Sequence, residues 1–276
     1  MDDLAGRVAV VTGAASGIGR AVAQEFAERG MRVVLADIDA DALGAACDEL
    51  KSSGHDVLDV QTDVSSEDDI DRLASLTQQH FGRVDVVHNN AGVVSAGLVE
   101  EISKAAWEWV LAVDLWSVIH SACIFVPILK RQGSGHIINT ASTAGLQASP
   151  GIGPYNVAKF GVIGLSETLH LECAPHGVGV SVLCPGAVDT RIVDAERNRP
   201  AHVPASTGTT ADTFTRKSGH LLSTEGLSPA TVALDVVDAV RANRFWVLTH
   251  HGWHDVLSAR LEGMRSGALV LSLIHI

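Results

Sequence analysis

The stretch Val8-Ala9-Val10-Val11-Thr12-Gly13-Ala14-Ala15-Ser16-Gly17-Ile18-Gly19 carries an apolar, β-branched run into a glycine turn and then, without a break, into a helical pattern over 17–29. A run apolar at nearly every position suits a strand covered on both faces. Glycines let the turn close tightly and let its backbone approach a pyrophosphate, whose charge is met by free amides at the helix N-terminus. Three glycines alone are a weak signal; the order strand, glycine turn, helix is what the binding mechanism requires. Outward from this segment the alternation continues, with strand-like runs at 33–37, 57–62, 84–89, 136–142, 180–184 and 245–248. Helical patterns lie near 40–53, 67–80, 103–131, 154–175, 229–242 and 253–263, with Gly30 as a helix C-cap and Ser65 as a helix start before Asp68. Such alternation predicts an α/β fold, a parallel sheet with helices on both faces.

Composition bounds what the fold can serve. A chain of 276 residues, 46% hydrophobic, buries one substantial core and demands no second domain. Its net charge of −12 argues against nucleic acid or an anionic membrane as the main partner and leaves a small molecule. Cys47, Cys123, Cys173 and Cys184 lack Cys-x-x-Cys spacing, so they read as buried, reduced thiols, with no disulfide framework and no metal site. Met1-Asp2-Asp3-Leu4 runs straight into a strand with no signal-peptide pattern, which places the protein in the cytoplasm. The longest apolar stretch, 107–129, is broken by Glu108, Asp114, His120 and Pro127 and reads as a buried helix, not a membrane span. Residues 191–227, rich in Thr, Ser, Gly, Pro and Arg, break the alternation and read as a loop over a pocket, or else an inert insertion.

Four further residues, Asp37, Tyr155, Lys159 and Ser142, point to a nucleotide held beside a proton-transfer site. Asp37 ends the second strand 18 residues after Gly19, where a carboxylate accepts hydrogen bonds from both ribose hydroxyls of an adenosine and repels a 2′-phosphate. With Ser16 before Gly17 and Ile38 after Asp37, no basic clamp awaits an extra phosphate, so NAD is favoured over NADP. The single tyrosine, Tyr155, stands one helical turn before Lys159, with Pro154 suited to the first turn. A phenol of pKa about 10 is a poor base at neutral pH, and a nearby ammonium draws it down. Ser142 ends the fifth strand run, at the carboxyl end where sites of open α/β sheets form. Taken alone, Tyr-x-x-x-Lys reads as a chance spacing on a solvated helix; the rest of the chain reverses that reading.

Together these residues resemble the short-chain dehydrogenase/reductase family, in its branch of single-domain enzymes, over residues 6 to about 250. The likeness rests on Thr12 to Gly19, on Asp63-Val64, on Asn89-Asn90-Ala91-Gly92, on Ser142 with Tyr155 and Lys159, and on Pro185-Gly186-Ala187-Val188-Asp189-Thr190. What the resemblance implies is a Rossmann-type doubly wound seven-stranded sheet holding NAD. Gly13, Ser16, Gly17, Ile18 and Gly19 would meet the pyrophosphate. Asp63 and Val64 would lie near the adenine, Asn90, Ala91 and Gly92 along the adenosine, and Pro185, Gly186, Val188 and Thr190 around the nicotinamide. One position departs: the family's usual Asn in the long fourth helix is Asp114 here. Asp accepts the same hydrogen bonds but adds a negative charge near Lys159, which implies a relay with a shifted pH optimum. A pH–rate profile of Asp114→Asn overlaying the parent would remove that expectation.

The implied roles are Tyr155 as general acid/base, Lys159 lowering the phenol's pKa and touching the nicotinamide ribose, and Ser142 donating to the carbonyl oxygen. Val94, Ser95, Gln147, Ala148, Pro150, Ile152 and loop residues beyond Thr190 are positioned for an apolar pocket, fitting a hydrophobic, alicyclic, terpenoid or steroid-like secondary alcohol or its ketone. Arg191, Arg197, Arg199, Arg216 and Lys217 against Asp194, Glu196 and Asp212 also allow a carboxylate on the substrate. Rival readings are a ketoreductase of acyl-carrier thioesters, which would want NADPH against Asp37, a silent NAD-sensing module, and a nucleotide-sugar epimerase. Family members are commonly tetramers or dimers through helices matching 103–131 and 154–175, whose apolar residues here include Trp107, Trp109, Trp116, Phe125 and Phe160. His250, His251 and His254 lack a carboxylate or thiol beside them and read as ordinary loop and helix-start residues. The enzyme domain spans 1–266; the apolar tail 267–276 either packs at a subunit interface or is a read-through remnant.

Overall fold

The computed structural model describes residues 1, 3–205, 208–250 and 252–268. Its strands are β1 (Val8–Thr12), β2 (Arg32–Asp37), β3 (Val57–Gln61), β4 (Val86–Asn89), β5 (Gly135–Thr140), β6 (Val178–Cys184) and β7 (Trp246–Leu248). They form one all-parallel sheet in the order β3-β2-β1-β4-β5-β6-β7, so the order reverses between β1 and β4 and opens a crevice at their carboxyl ends. This is the single-domain, Rossmann-type sheet that the alternation and the resemblance implied.

The apolar runs are buried on both faces by alternation. Ala9, Val11, Val33 and Leu35 point into a core with α1 (Gly17–Glu28), α2 (Ala40–Ser52) and α8 (Pro229–Ala242). Val8, Val10, Val34 and Ala36 point the other way, against α3 (Glu67–Phe81), α5 (Ser117–Gln132) and α6 (Gly153–Cys173). Phe26 of α1 is wholly buried in the first layer and Phe125 of α5 almost wholly in the second, and truncating either to Ala would cost about 3–5 kcal/mol. Phe125 is therefore a core residue, not part of an outer face.

Local chemistry sets the helix ends. Asp39 caps α2 by accepting from the Ala42 amide at 3.1 Å. Ser66, not Ser65, caps α3: its hydroxyl accepts from the Asp69 amide at 3.3 Å, and Glu67, Asp68 and Asp69 complement the dipole of the first turn. Ser65 is instead held by Asp63, whose Oδ1 accepts from both its amide and its hydroxyl.

Two elements differ from the sequence reading. The expected helix over 103–131 is α4 (Lys104–Leu111) and α5, joined by a π-helical turn at Ala112–Trp116. That extra-residue turn leaves Asp114 fully buried while Trp116 remains exposed. The whole segment Lys104–Gln132 is long and apolar enough to cross a membrane, but half of its most apolar window is buried, packed against α3, α6 and the sheet. The expected loop at 191–227 contains a 3-10 turn at Ile192–Asn198 and α7 (Thr209–Glu225). The pattern hid α7 because it offers few apolar anchors, among them Ala211, and lacks a side-chain N-cap. Finally α9 (Trp253–Ser266) folds back on the molecule, with Arg260 bonded to the Leu146 carbonyl and set 4.8 Å over the Phe160 ring. Cys123 is exposed; the other three thiols are buried as expected. Residues 269–276 of the apolar tail lie outside the described residues, as does His251.

Candidate active site

A cleft runs across the carboxyl ends of β1, β2, β4, β5 and β6. At one end lies the glycine turn. Gly17 has φ +54, a left-handed conformation that favours glycine, and a Cβ there would press at 3.1 Å on Thr190 from the far side of the cleft. Gly19 does not line the cleft. It lies below, where a Cβ would collide with the Gly13 carbonyl, so its absent side chain lets α1 approach β1. Ser16 makes no side-chain cap to α1, leaving the first amides of that helix open toward the cleft.

Asp37 stands at the next position along the rim. Its Oδ2 accepts from the Ala15 amide at 3.0 Å and its Oδ1 from the Asp39 amide at 3.1 Å. Two backbone bonds fix the carboxylate, and each oxygen retains a lone pair for a ribose hydroxyl. Ile38, exposed beside it, lines the same rim together with Asp63 and Val64. Asn90 ties the crevice: its Nδ2 donates to the Thr12 carbonyl at 3.0 Å, while the Asn90 and Ala91 amides donate to Thr12 Oγ1 at 2.9 and 3.1 Å. An open helix N-terminus, a glycine cradle and a fixed carboxylate fit a dinucleotide whose adenosine ribose is unphosphorylated.

At the other end Ser142, Tyr155 and Lys159 converge on the same cleft. Ser142 follows β5, and its hydroxyl accepts from the Ala144 amide at 3.1 Å and reaches Tyr155 as a hydrogen-bond partner. Tyr155 and Lys159 share a face of α6, with Nζ 5.3 Å from the centre of the phenol ring. Lys159 is buried; it donates to the Thr140 carbonyl at 3.0 Å and pairs with Asp114 Oδ2 at 3.0 Å. The other Asp114 oxygen accepts from the Val93 amide at 2.8 Å. Asp114 thus stands behind Lys159 rather than in the cleft lining.

The pairing changes the expected electrostatics. Burial pushes the Tyr155 phenol up; Lys159 pulls it back, Asp114 pushes it further up, and the net direction is upward. Lys159 was expected to bring it down, but burial first, and Asp114 after it, outweigh that pull. Burial alone would lower Lys159, yet Asp114 and Tyr155 outweigh it and keep the ammonium protonated. Burial raises Asp114 against the opposing pull of Lys159 and the Val93 amide, and its Oδ2 lies 3.0 Å from the retained ammonium. Cys184, behind the site, is pushed up to about 12, chiefly by burial, and stays a neutral thiol.

Pro185, Gly186, Val188 and Thr190 close the cleft after β6. Their loop is held from below by His250. The Gly186 amide donates to His250 Nδ1 at 3.2 Å, which places the ring proton on Nε2, 3.0 Å from the Ala187 carbonyl. Both ring nitrogens are therefore engaged by this loop. Nothing in the spacing of His250, His251 and His254 signalled it, because the contact joins residues 64 apart.

The pocket beside Tyr155 takes its expected wall from residues beyond Thr190 but differs in the rest. Val93, Trp109, Val113, Ile192, Ala195 and Leu222 wall it, whereas Gln147, Ala148, Pro150 and Ile152 do not. Val94 lines a small separate pocket with Phe214. Trp109 is buried on the cleft side of α4, not on an outer face. It was missed because an amphipathic helix shows which face is apolar without showing whether that face meets core, cleft or a second subunit.

The family model for the short chain dehydrogenases matches residues 7–201. The chain is 32% identical to the CLA biosynthesis dehydrogenase/reductase of Lactiplantibacillus plantarum, covering 95% of this chain and 94% of that protein. With the 3beta-hydroxysteroid dehydrogenase 2 of Eggerthella lenta it shares 38% identity, over 68% of this chain and 74% of the relative. A crystal structure of a short-chain dehydrogenase/reductase from Burkholderia phymatum in complex with NAD superposes with TM-score 0.96 and 37% identity, covering 100% of both chains.

Proposed function

Because the chain belongs to the short-chain dehydrogenase/reductase family, and is an NAD-dependent alcohol dehydrogenase/reductase, we propose that it interconverts a hydrophobic, alicyclic secondary alcohol and its ketone. The convergence of Ser142, Tyr155 and Lys159 on a cleft whose far end holds Asp37 is the observation that carries this reading. When bound, NAD supplies the hydride acceptor or donor. Gly13, Ser16, Gly17, Ile18 and Thr190 hold its phosphates, with Gly19 setting the turn. Asp37 takes the ribose hydroxyls, and Asp63, Val64, Asn90, Ala91 and Gly92 flank the adenosine. Pro185, Gly186 and Val188 hold the nicotinamide end.

Ser142 Oγ donates to the substrate oxygen and steadies the charge that grows on it. In oxidation Tyr155 Oη accepts the alcohol proton; in reduction it returns one to the nascent alkoxide. Lys159 sets the phenol's acidity and passes protons on, with Asp114 and the Thr140 carbonyl fixing its position. The apolar walls, Val93, Trp109, Val113, Ile192, Ala195 and Leu222, favour a ring system over a short hydroxy acid. The relatives include both a steroid dehydrogenase and a D-beta-hydroxybutyrate dehydrogenase, so the preference rests on the pocket walls.

A second reading adds an anionic group to the substrate. Arg197 lines the cleft and donates only to the carbonyls of Arg191 and Asp194, so its charge meets no carboxylate among the described contacts, unlike Arg199, which pairs with Glu196. We place the enzyme in the cytoplasm as a tetramer or dimer, with no nucleic-acid or membrane partner. The test is turnover with NAD or NADP on a panel of alicyclic, steroid, linear and carboxylated secondary alcohols, followed by the absorbance of the reduced nicotinamide. Activity with NAD on ring substrates supports the reading. Activity confined to carboxylated alcohols supports the second, and nucleotide binding without turnover across the panel would favour a sensor.

A further inference from the structure

Among the described ion pairs, that of Asp114 and Lys159 is the one with both side chains nearly wholly buried, at 0% and 3% exposure. Elsewhere in the protein at least one partner of each pair reaches solvent. A buried pair is costly to assemble, and its field is weakly screened, so its sign matters at the reacting centre. The reaction fixes where the nicotinamide must lie. The hydride passes to or from the substrate carbon whose oxygen meets Tyr155, so the ring shares the end of the cleft that Lys159 approaches.

Oxidised nicotinamide carries a positive charge and reduced nicotinamide carries none. A lone buried ammonium at Lys159 would repel the oxidised ring and leave the reduced ring untouched. Asp114 cancels that ammonium through a contact of 3.0 Å, and the Val93 amide holds the carboxylate in place. We propose that Asp114 is an electrostatic positioning residue that biases this site toward binding the oxidised cofactor, and so lowers the potential of the bound couple. The inference rests on the NAD-binding reading above and adds to it a preference between the two cofactor states.

Asn at 114 has the same size and can still accept from the Val93 amide, so Asp114→Asn removes the charge with little change of shape. The experiment measures dissociation constants of NAD⁺, NADH and ADP-ribose for the parent and Asp114→Asn, by NADH fluorescence and competition. ADP-ribose lacks the nicotinamide and reports the remainder of the cleft. The expected result is that Asp114→Asn weakens NAD⁺ relative to NADH by about fivefold to tenfold, with ADP-ribose unchanged. A tenfold change in that ratio raises the potential of the bound couple by about 30 mV. A ratio unchanged within twofold, or an NAD⁺ loss matched by ADP-ribose, would overturn the inference while leaving NAD binding intact. A parent that binds none of the three would overturn the reading beneath it and the inference with it.

Discussion

Tyr155 and Asp37 were legible as residue types at informative spacings, and each carries a test. Tyr155→Phe removes the proton without removing the ring, so NADH affinity should stay near the parental value while kcat falls by about 10²–10⁴. Near-parental turnover would refute the assignment. Asp37→Ala should weaken NAD by about tenfold or more through lost charge-assisted bonds, and narrow the preference over NADP. Paired KM measurements with both nucleotides check it. What the sequence could not convey at this scale was orientation. Gly19 belongs to the motif yet acts beneath the cleft, and burial, with Asp114 behind Lys159 adding to it, reverses the expected shift of the phenol. Ile38 and Trp109 line the cleft because of where their strand and helix end, which no residue identity encodes.

Elements with regular apolar periodicity were legible almost to their ends, since one buried face suffices to mark a strand or helix. α7 was not, because its anchors are sparse, and the π turn was not, because one extra residue leaves the apolar composition of 103–131 unchanged. The loop after β6 depends on a distant support that spacing could not announce. His250 holds Gly186 and Ala187 through opposite ring nitrogens. His250→Ala should raise KM for NAD by roughly tenfold, with a smaller effect on kcat, since two neutral hydrogen bonds contribute about 1–3 kcal/mol together. Asn can replace the Nδ1 acceptor and Gln the Nε2 donor, so each should restore part of the affinity. Steady-state kinetics of the three variants decides, and equal KM values in all four proteins would remove the role.

For the molecule as a whole, a parallel sheet of seven strands was legible from the alternation of strand and helix, whereas its strand order and the buried polar chemistry across it were not. His88 of β4 and His136 of β5 lie inside the sheet, bonded to Thr140 and Ser181, and burial lowers each from 6.5 to about 3. Below pH 6.5 the unfolded chain takes up protons that the folded one refuses. Stability is therefore complete above that value and drains away as pH falls toward about 3. Melting temperatures measured from neutral pH downward should fall, and His136→Gln should flatten the slope; parallel slopes would contradict this. The 276 residues also contain a single phenol, and it lies in the cleft. Phenolate absorbs to the red of phenol and the five indoles do not ionise, so an alkaline difference spectrum of the intact protein has one chromophore to report. Its midpoint should lie above the 10.0 of free tyrosine and move down in Asp114→Asn. Most enzymes of this size need an isotope or an unnatural amino acid to isolate the optical signature of one active-site group; this one already carries a built-in indicator dye.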